Sequence, residues 1–220
     1  MADFGGDRKV GRSLLYTFEQ WLIARCVAKI PSWLEAYHLT LLTIAWAIAI
    51  LVFSFLAGGD IRWLWLVSAA IVLQYVTDLF DGAVGRYRKT GLVKWGFYMD
   101  HFLDYVFLCS ILIGYSFVLP KIHRYSLFFI LAIFGGYMVN SFLSFAATNQ
   151  FRIAYLGIGP TEIRVLFIAI NTLIILFGRT YLAYALTPTL IISFLGLCIL
   201  VYKTQKELWK TDMGHKHAHK

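Results

Sequence analysis

Four aspartates occur where an apolar chain tolerates them least. Asp78 and Asp81 close one long hydrophobic run, and Asp100 and Asp104 stand near the start of the next. Carboxylates at the ends of hydrophobic spans are expensive, and they mark functional sites whose partners offset the cost. The first stretch reads Asp78-Leu-Phe-Asp81-Gly82-Ala-Val-Gly85-Arg86; after nine intervening residues comes Gly96-Phe-Tyr-Met-Asp100-His101-Phe-Leu-Asp104. On helices, spacings of three and four put each pair on one face, so two facing helices present four convergent carboxylates. Such a cage suits a hard divalent cation, which prefers oxygen ligands and bridges carboxylates to substrate phosphates. The metal then neutralises charge that develops during phosphoryl transfer. Gly82, beside Asp81, and Gly85, one turn on, remove side chains where a nucleotide phosphate approaches. Arg86 adds a planar donor fork for phosphate or carboxylate. These are the parts needed to cleave a nucleotide diphosphate bond at a membrane face.

The elements that position these residues are membrane spans. The 220-residue chain is 60% hydrophobic and 15% charged, whereas soluble chains run near a quarter charged. Thr40 to Ala57, Tyr125 to Thr148 and Thr180 to Tyr202 contain no charge; Trp63 to Thr77, Tyr105 to Leu119 and Val165 to Gly178 are shorter apolar windows. About 20 apolar residues cross a bilayer as a helix, which predicts six transmembrane helices and an all-α, polytopic fold. The competing reading makes a short window such as Val165 to Gly178 a re-entrant or buried segment.

Orientation follows from Lys and Arg. Six spans place 16 of the 20 basic residues, from Arg8 to Lys220, on the side of the termini, and leave Arg62, Lys121, Arg124 and Arg179 opposite. The positive-inside rule then predicts cytoplasmic termini and a cytoplasmic aspartate site. The net charge of +8 reflects topology and contact with anionic lipid, not nucleic acid. Cys26, Cys109 and Cys198 have neither disulfide nor metal spacing and read as packing residues. The first 38 residues lack the pattern of a cleavable leader.

Residues 1–38 form a cytoplasmic juxtamembrane segment, 39–204 the six-helix catalytic domain and 205–220 a cytoplasmic tail. Within the first, Leu14, Leu15, Phe18, Trp21, Leu22 and Cys26 recur at helical spacing. They predict an amphipathic helix that lies among headgroups or packs on the bundle, with Pro31 expected to end it. Trp33, Tyr37, Trp63, Trp95 and Trp209 fall near span ends, as interfacial aromatics do. Gly135-Gly136 permits close helix contact, either inside the bundle or within a dimer. Gln150 to Ile163 is the longest connection on the aspartate side. The alternating histidines of the last six residues read as a solvated tail rather than a metal site.

The aspartate pattern resembles that of the CDP-alcohol phosphotransferases, D-x2-D-G-x2-A-R-x8-G-x3-D-x3-D. Asp78, Asp81, Gly82, Arg86, Gly96, Asp100 and Asp104 match it in place. Gly85 stands where the family has alanine, and nine residues rather than eight separate Arg86 from Gly96. An extra residue within a helix would turn the later aspartates by about 100°; in a connecting loop, as Tyr87 to Trp95 reads, it costs little. The six spans, the N-terminal helix and the segment Ile30-Pro-Ser-Trp-Leu followed by His38-Leu-Thr are also similar to the family. The resemblance implies that an acceptor hydroxyl displaces CMP from a CDP-linked donor. It further implies two divalent ions held by Asp78, Asp81, Asp100 and Asp104 (Mg²⁺, or Mn²⁺ in its place), Asp104 as the base, and a homodimer. His101 is the rival base, because it adjoins Asp100 and Asp-His also occurs in some choline and ethanolamine branches.

One substrate must be a lipid for the site to lie at the bilayer. The commonest family arrangement is CDP-diacylglycerol with a small water-soluble alcohol; the alternative transfers phosphoalcohol from a soluble CDP-alcohol such as CDP-choline to a lipid alcohol. Arg152 and Arg164, flanking the long connection, are candidates for an acceptor phosphate. Thr161 and Glu162 are candidate caps of the fifth span. A cation transporter would also use intramembrane aspartates, but it does not explain Gly82 and Arg86 at fixed offsets from Asp81.

Overall fold

The structure, a computed structural model, describes residues 9–10, 15–148, 151–152 and 159–218. Its helices are α1 (Tyr16–Cys26), α2 (Ala36–Ala57), α3 (Leu64–Arg88), α4 (Val93–Val118), α5 (Arg124–Thr148), α6 (Pro160–Phe177) and α7 (Thr180–Ala218). Six of the helical segments are long and apolar enough to cross a membrane, as the apolar windows predict. The shortest, α6, has 18 residues and a length of about 27 Å. The described residues also include a two-residue parallel pairing of β1 (Lys9–Val10) with β2 (Phe151–Arg152).

Two boundaries differ from the sequence reading. First, α1 gives way at Cys26 to a 3-10 turn over Val27–Lys29, ahead of Pro31; that turn buries Val27 against α3. Second, most of Tyr87 to Trp95 is helical, because α3 continues through Arg88 and α4 begins at Val93. The reversal is completed by Lys89, which adopts the left-handed conformation (φ 57°). The Lys89 and Thr90 amides donate to the carbonyls of Arg86 and Gly85 at 3.3 and 3.2 Å, the paired bonds that close a helix C-terminus. Helix α7 runs on past residue 204: its 39 residues extend about 58 Å, well beyond a hydrocarbon core.

The helices bury one stripe each. On α2, Leu39, Thr43, Ala47, Ile50, Ser54 and Ala57 face inward, while Leu41, Ile44, Ile48, Val52 and Phe55 lie exposed at helical spacing and suit a lipid environment. The main core joins Ile50, Leu64, Ile71, Phe107, Ile111, Val118, Phe167 and Ile174. Inside it the Tyr115 hydroxyl donates to Asn171 Oδ1 (2.9 Å), and Asn171 Nδ2 donates to Ser68 Oγ (3.1 Å). These bonds tie α3, α4 and α6 where bilayer would offer polar groups no other partner. Gly136 seats against Leu197 of α7, and Gly135 faces Tyr105 of α4. Both glycines therefore serve contacts inside the bundle.

Helix α1 divides its apolar residues. Leu22, Ile23 and Cys26 pack on a satellite core of Leu39, Phe80, Ala83 and Val84, while Phe18 and Trp21 remain exposed. Arginines fasten both ends of the bundle. Far from the aspartates, Arg179 Nη2 donates to the carbonyls of Ala57 (3.1 Å) and Gly58 (3.0 Å). At the aspartate end, Arg88 Nη1 donates to Leu34 O (2.8 Å), and Nη2 donates to Ile30 O (2.8 Å) and Pro31 O (2.9 Å). One guanidinium thus gathers the connection that feeds α2. A lysine cannot reproduce this fork. With hydrogen bonds to charged groups worth about 1.5–3 kcal/mol each, Arg88→Lys should lower unfolding stability by about 2 kcal/mol. Thermal unfolding in detergent checks this; an unchanged midpoint would show that the connection is held by its apolar contacts.

Candidate active site

The site forms where α3 ends and α4 begins, with α2 and α6 alongside. Oxygens of Asp78, Asp81 and Asp100, one from each carboxylate, lie within 4.8 Å of one another. The extra residue between Arg86 and Gly96 has therefore not turned Asp100 away. The chain leaves helical geometry between the two pairs, in the short connection from Lys89 to Leu92, where an added residue turns no helix. Two unit charges about 4 Å apart repel by about 1 kcal/mol in water and by about 4 kcal/mol at the effective dielectric of a protein surface. Three such groups need counter-charge, and an all-oxygen donor set suits a hard divalent cation.

Part of that counter-charge is Arg164, near the start of α6 and 5% exposed. Its Nη2 lies 2.9 Å from Asp78 Oδ2 and 3.0 Å from Asp104 Oδ1. Its Nε donates to Gln74 Oε1 at 2.8 Å, from a residue one turn before Asp78 that is fully buried. The faces of Tyr75 and Phe107 lie 5.9 and 5.5 Å from the guanidinium carbon, close enough for cation–π attraction. Asp104 thus stands in the site through Arg164, while the close three-carboxylate group comprises Asp78, Asp81 and Asp100.

The remaining expected residues divide by location. Arg86 is exposed, and its Nη1 lies 3.1 Å from where a Cβ on Gly82 would stand. Gly82 therefore leaves room for the arginine to fold back along its own helix. Gly85 is buried against Gly91 and Ala36, so its small size serves close packing of α3 on the reversal and α2. Around Gly96 a Cβ would meet open space. His101 Nδ1 is 3.7 Å from Asp100 Oδ2, beyond hydrogen-bond length. Its ring packs edge-on to Phe97 at 4.5 Å and lies 5.6 Å from Phe142 of α5. The backbone of Arg152 lies in β2; its side chain falls outside the described residues, as do those of the C-terminal histidines and Leu14.

Several participants were not singled out by the sequence. Thr40 of α2 donates to Asp81 Oδ2 at 2.7 Å, and Gln74 anchors Arg164. Glu19 of α1 accepts at Oε1 from the Tyr75 hydroxyl (3.0 Å) and from Thr161 Oγ1 (2.9 Å), so the juxtamembrane helix is bonded to both α3 and α6. Thr161 is occupied there, while Glu162 Oε2 accepts the Gly159 amide at 2.8 Å and closes the start of α6. A signal for Thr40 did exist, since it ends the His38-Leu-Thr segment of the family resemblance. Gln74 and Glu19 carried no such signal, because their partners are distant in sequence.

The fold and the cluster define an integral membrane protein with a carboxylate group able to hold a hard cation at one end of its bundle. Residues 33–200 match the family model described as CDP-alcohol phosphatidyltransferase, and the chain belongs to that family. No curated protein and no solved structure gave a significant match. The family comprises divalent-metal-dependent transferases of phosphate-containing groups that use CDP-linked substrates and alcohol acceptors.

Arg164→Met would leave Asp78 and Asp104 without their shared partner and Gln74 Oε1 without its donor. Breaking a buried ion pair from one side is strongly destabilising, and with partly exposed carboxylates the expected loss is about 2 kcal/mol or more. Adding Asp104→Asn to that variant should recover part of the loss, a non-additivity that a double-mutant cycle of unfolding midpoints reads. Additive effects would mean that the pair is not energetically coupled.

Proposed function

We propose that the protein is a phosphatidyltransferase that uses CDP-diacylglycerol as donor and a small water-soluble alcohol as acceptor, releasing CMP. The observation that carries this reading is the convergence of Asp78, Asp81 and Asp100 inside a chain that matches the phosphatidyltransferase family. The basic residues concentrated on the aspartate side support a cytoplasmic site and cytoplasmic termini. Mg²⁺, or Mn²⁺ in its place, is the proposed cofactor, in two ions, with Asp104 completing the ligand set. A homodimer belongs to the same reading, implied by the resemblance.

When bound, the cations supply charge neutralisation at the diphosphate. The protein's own groups do the rest. Arg86, exposed beside Gly82, offers paired donors to a phosphate oxygen. Asp104 accepts the proton of the acceptor hydroxyl, and Arg164 holds the carboxylate that receives it. The acceptor oxygen forms a bond to the phosphorus of the phosphatidyl group, the phosphorus–oxygen bond to CMP breaks, and CMP leaves with the electron pair. Buried Arg164 also supports a role beside the acceptor as a fixed positive charge; Arg152 is the second candidate there. His101, set among aromatic rings, is the weaker choice for base.

The test is CMP release by detergent-purified protein. CDP-diacylglycerol and CDP-choline are each offered a pool of alcohols, with Mg²⁺ or with chelator. Release should require metal and occur with CDP-diacylglycerol; release with CDP-choline alone would reverse the roles of lipid and soluble substrate. Asp81→Asn and Asp100→Asn should each abolish release in folded protein, and full activity in either would remove the proposed metal site.

A further inference from the structure

The four carboxylates differ in how the protein holds them, and Asp81 is the most buried of them, at 8% exposure. Its Oδ1 accepts the amide of Gly82, and its Oδ2 accepts from Thr40 Oγ1 at 2.7 Å, a buried bond reaching across from α2. Thr40 also lies 3.2 Å from the Ala36 carbonyl one turn back. One hydroxyl has one proton to give. The bond to the carboxylate is the shorter of the two, and charge-assisted hydrogen bonds are about twice as strong as neutral ones. The hydroxyl therefore donates its hydrogen bond to Asp81.

Donation at this oxygen fixes the rotation of the carboxylate and leaves its remaining lone pairs pointing in set directions. Thr40 is itself fixed. It is 5% exposed, its β-branched side chain has few rotamers, and the connection that leads into α2 is bound to the end of α3 through Arg88. We propose that Thr40 is a positioning residue for the cation site, orienting Asp81 so that its carboxylate converges with Asp78 and Asp100. The inference rests on the metal reading above. It adds a third helix, α2, to a site whose proposed ligands all come from α3 and α4.

Thr40→Val keeps the shape and removes the donor, Thr40→Ala removes the donor with less bulk, and Thr40→Ser keeps the donor. The probe is Mn²⁺ alone, titrated into detergent-purified full-length protein and followed by the electron paramagnetic resonance of the free ion. Loss of an outer partner of a metal ligand weakens metal affinity by about 10–100-fold. Thr40→Val and Thr40→Ala should fall in that range, while Thr40→Ser returns to near the unsubstituted affinity. A merely structural role for Thr40 would lower the unfolding midpoint and leave Mn²⁺ affinity unchanged in protein that remains folded. If Thr40→Val does not fold, the contrast between the alanine and serine variants carries the same comparison. Asp81→Asn and Asp100→Asn separate the two levels of the account. Tight Mn²⁺ binding lost in both, but unchanged in Thr40→Val and Thr40→Ala, overturns the role of Thr40 and leaves the metal site standing. Binding unaffected by either aspartate substitution overturns both.

Discussion

The constraint at the heart of the aspartate end is one buried guanidinium. Arg164 reaches from α6 to Asp78 on α3 and Asp104 on α4, so a single side chain ties together three helices and offsets the like charge that α3 and α4 present to each other. A charge so buried is tolerated only where its partners are complete. Gln74 Oε1 accepts a hydrogen bond from Nε–H, and two aromatic faces flank the cation. The geometry also sorts the carboxylates. Asp104 is held through Arg164, while Asp81 and Asp100, with Asp78 shared between the two groupings, converge closely enough to suit a divalent ion.

The surrounding bundle answers the same constraint in neutral form. Below the site, Ser68, Tyr115 and Asn171 satisfy one another between α3, α4 and α6. These pairings share the α3–α6 interface with Gln74 and Arg164, so the polar side chains of that interface specify how the two helices register. At the membrane surface, Glu19 joins α1 to Tyr75 and Thr161. The same helix leaves Phe18 and Trp21 exposed, with Arg25 lying 4.7 Å above the Trp21 ring. Helix α1 is therefore bound to the bundle on one side and offers an amphipathic surface on the other.

What the sequence revealed, and what it hid, has a physical basis. The six spans were legible because each contains a charge-free apolar run, and the aspartates because helical spacing alone puts Asp78 with Asp81, and Asp100 with Asp104, on shared faces. Boundaries were less legible. Nothing local announced that Lys89, rather than a glycine, would take the left-handed turn, or that α1 would stop at Cys26 before its proline. The partners of the carboxylates were hidden for a different reason. Thr40, Gln74 and Glu19 act across 41, 90 and up to 142 residues of chain, distances at which periodicity carries no information. Arg164 was visible as a basic residue near the site but suggested an acceptor phosphate; its commitment to two carboxylates required the fold.

The most direct measurement is anomalous diffraction from crystals of the full-length protein grown with Mn²⁺ and CMP. Mn²⁺ density is expected between the carboxylates of Asp78, Asp81 and Asp100, with the CMP phosphate on the same ion or ions. Well-ordered CMP with no Mn²⁺ at these aspartates, or with Mn²⁺ held by other residues, would contradict the proposed metal site.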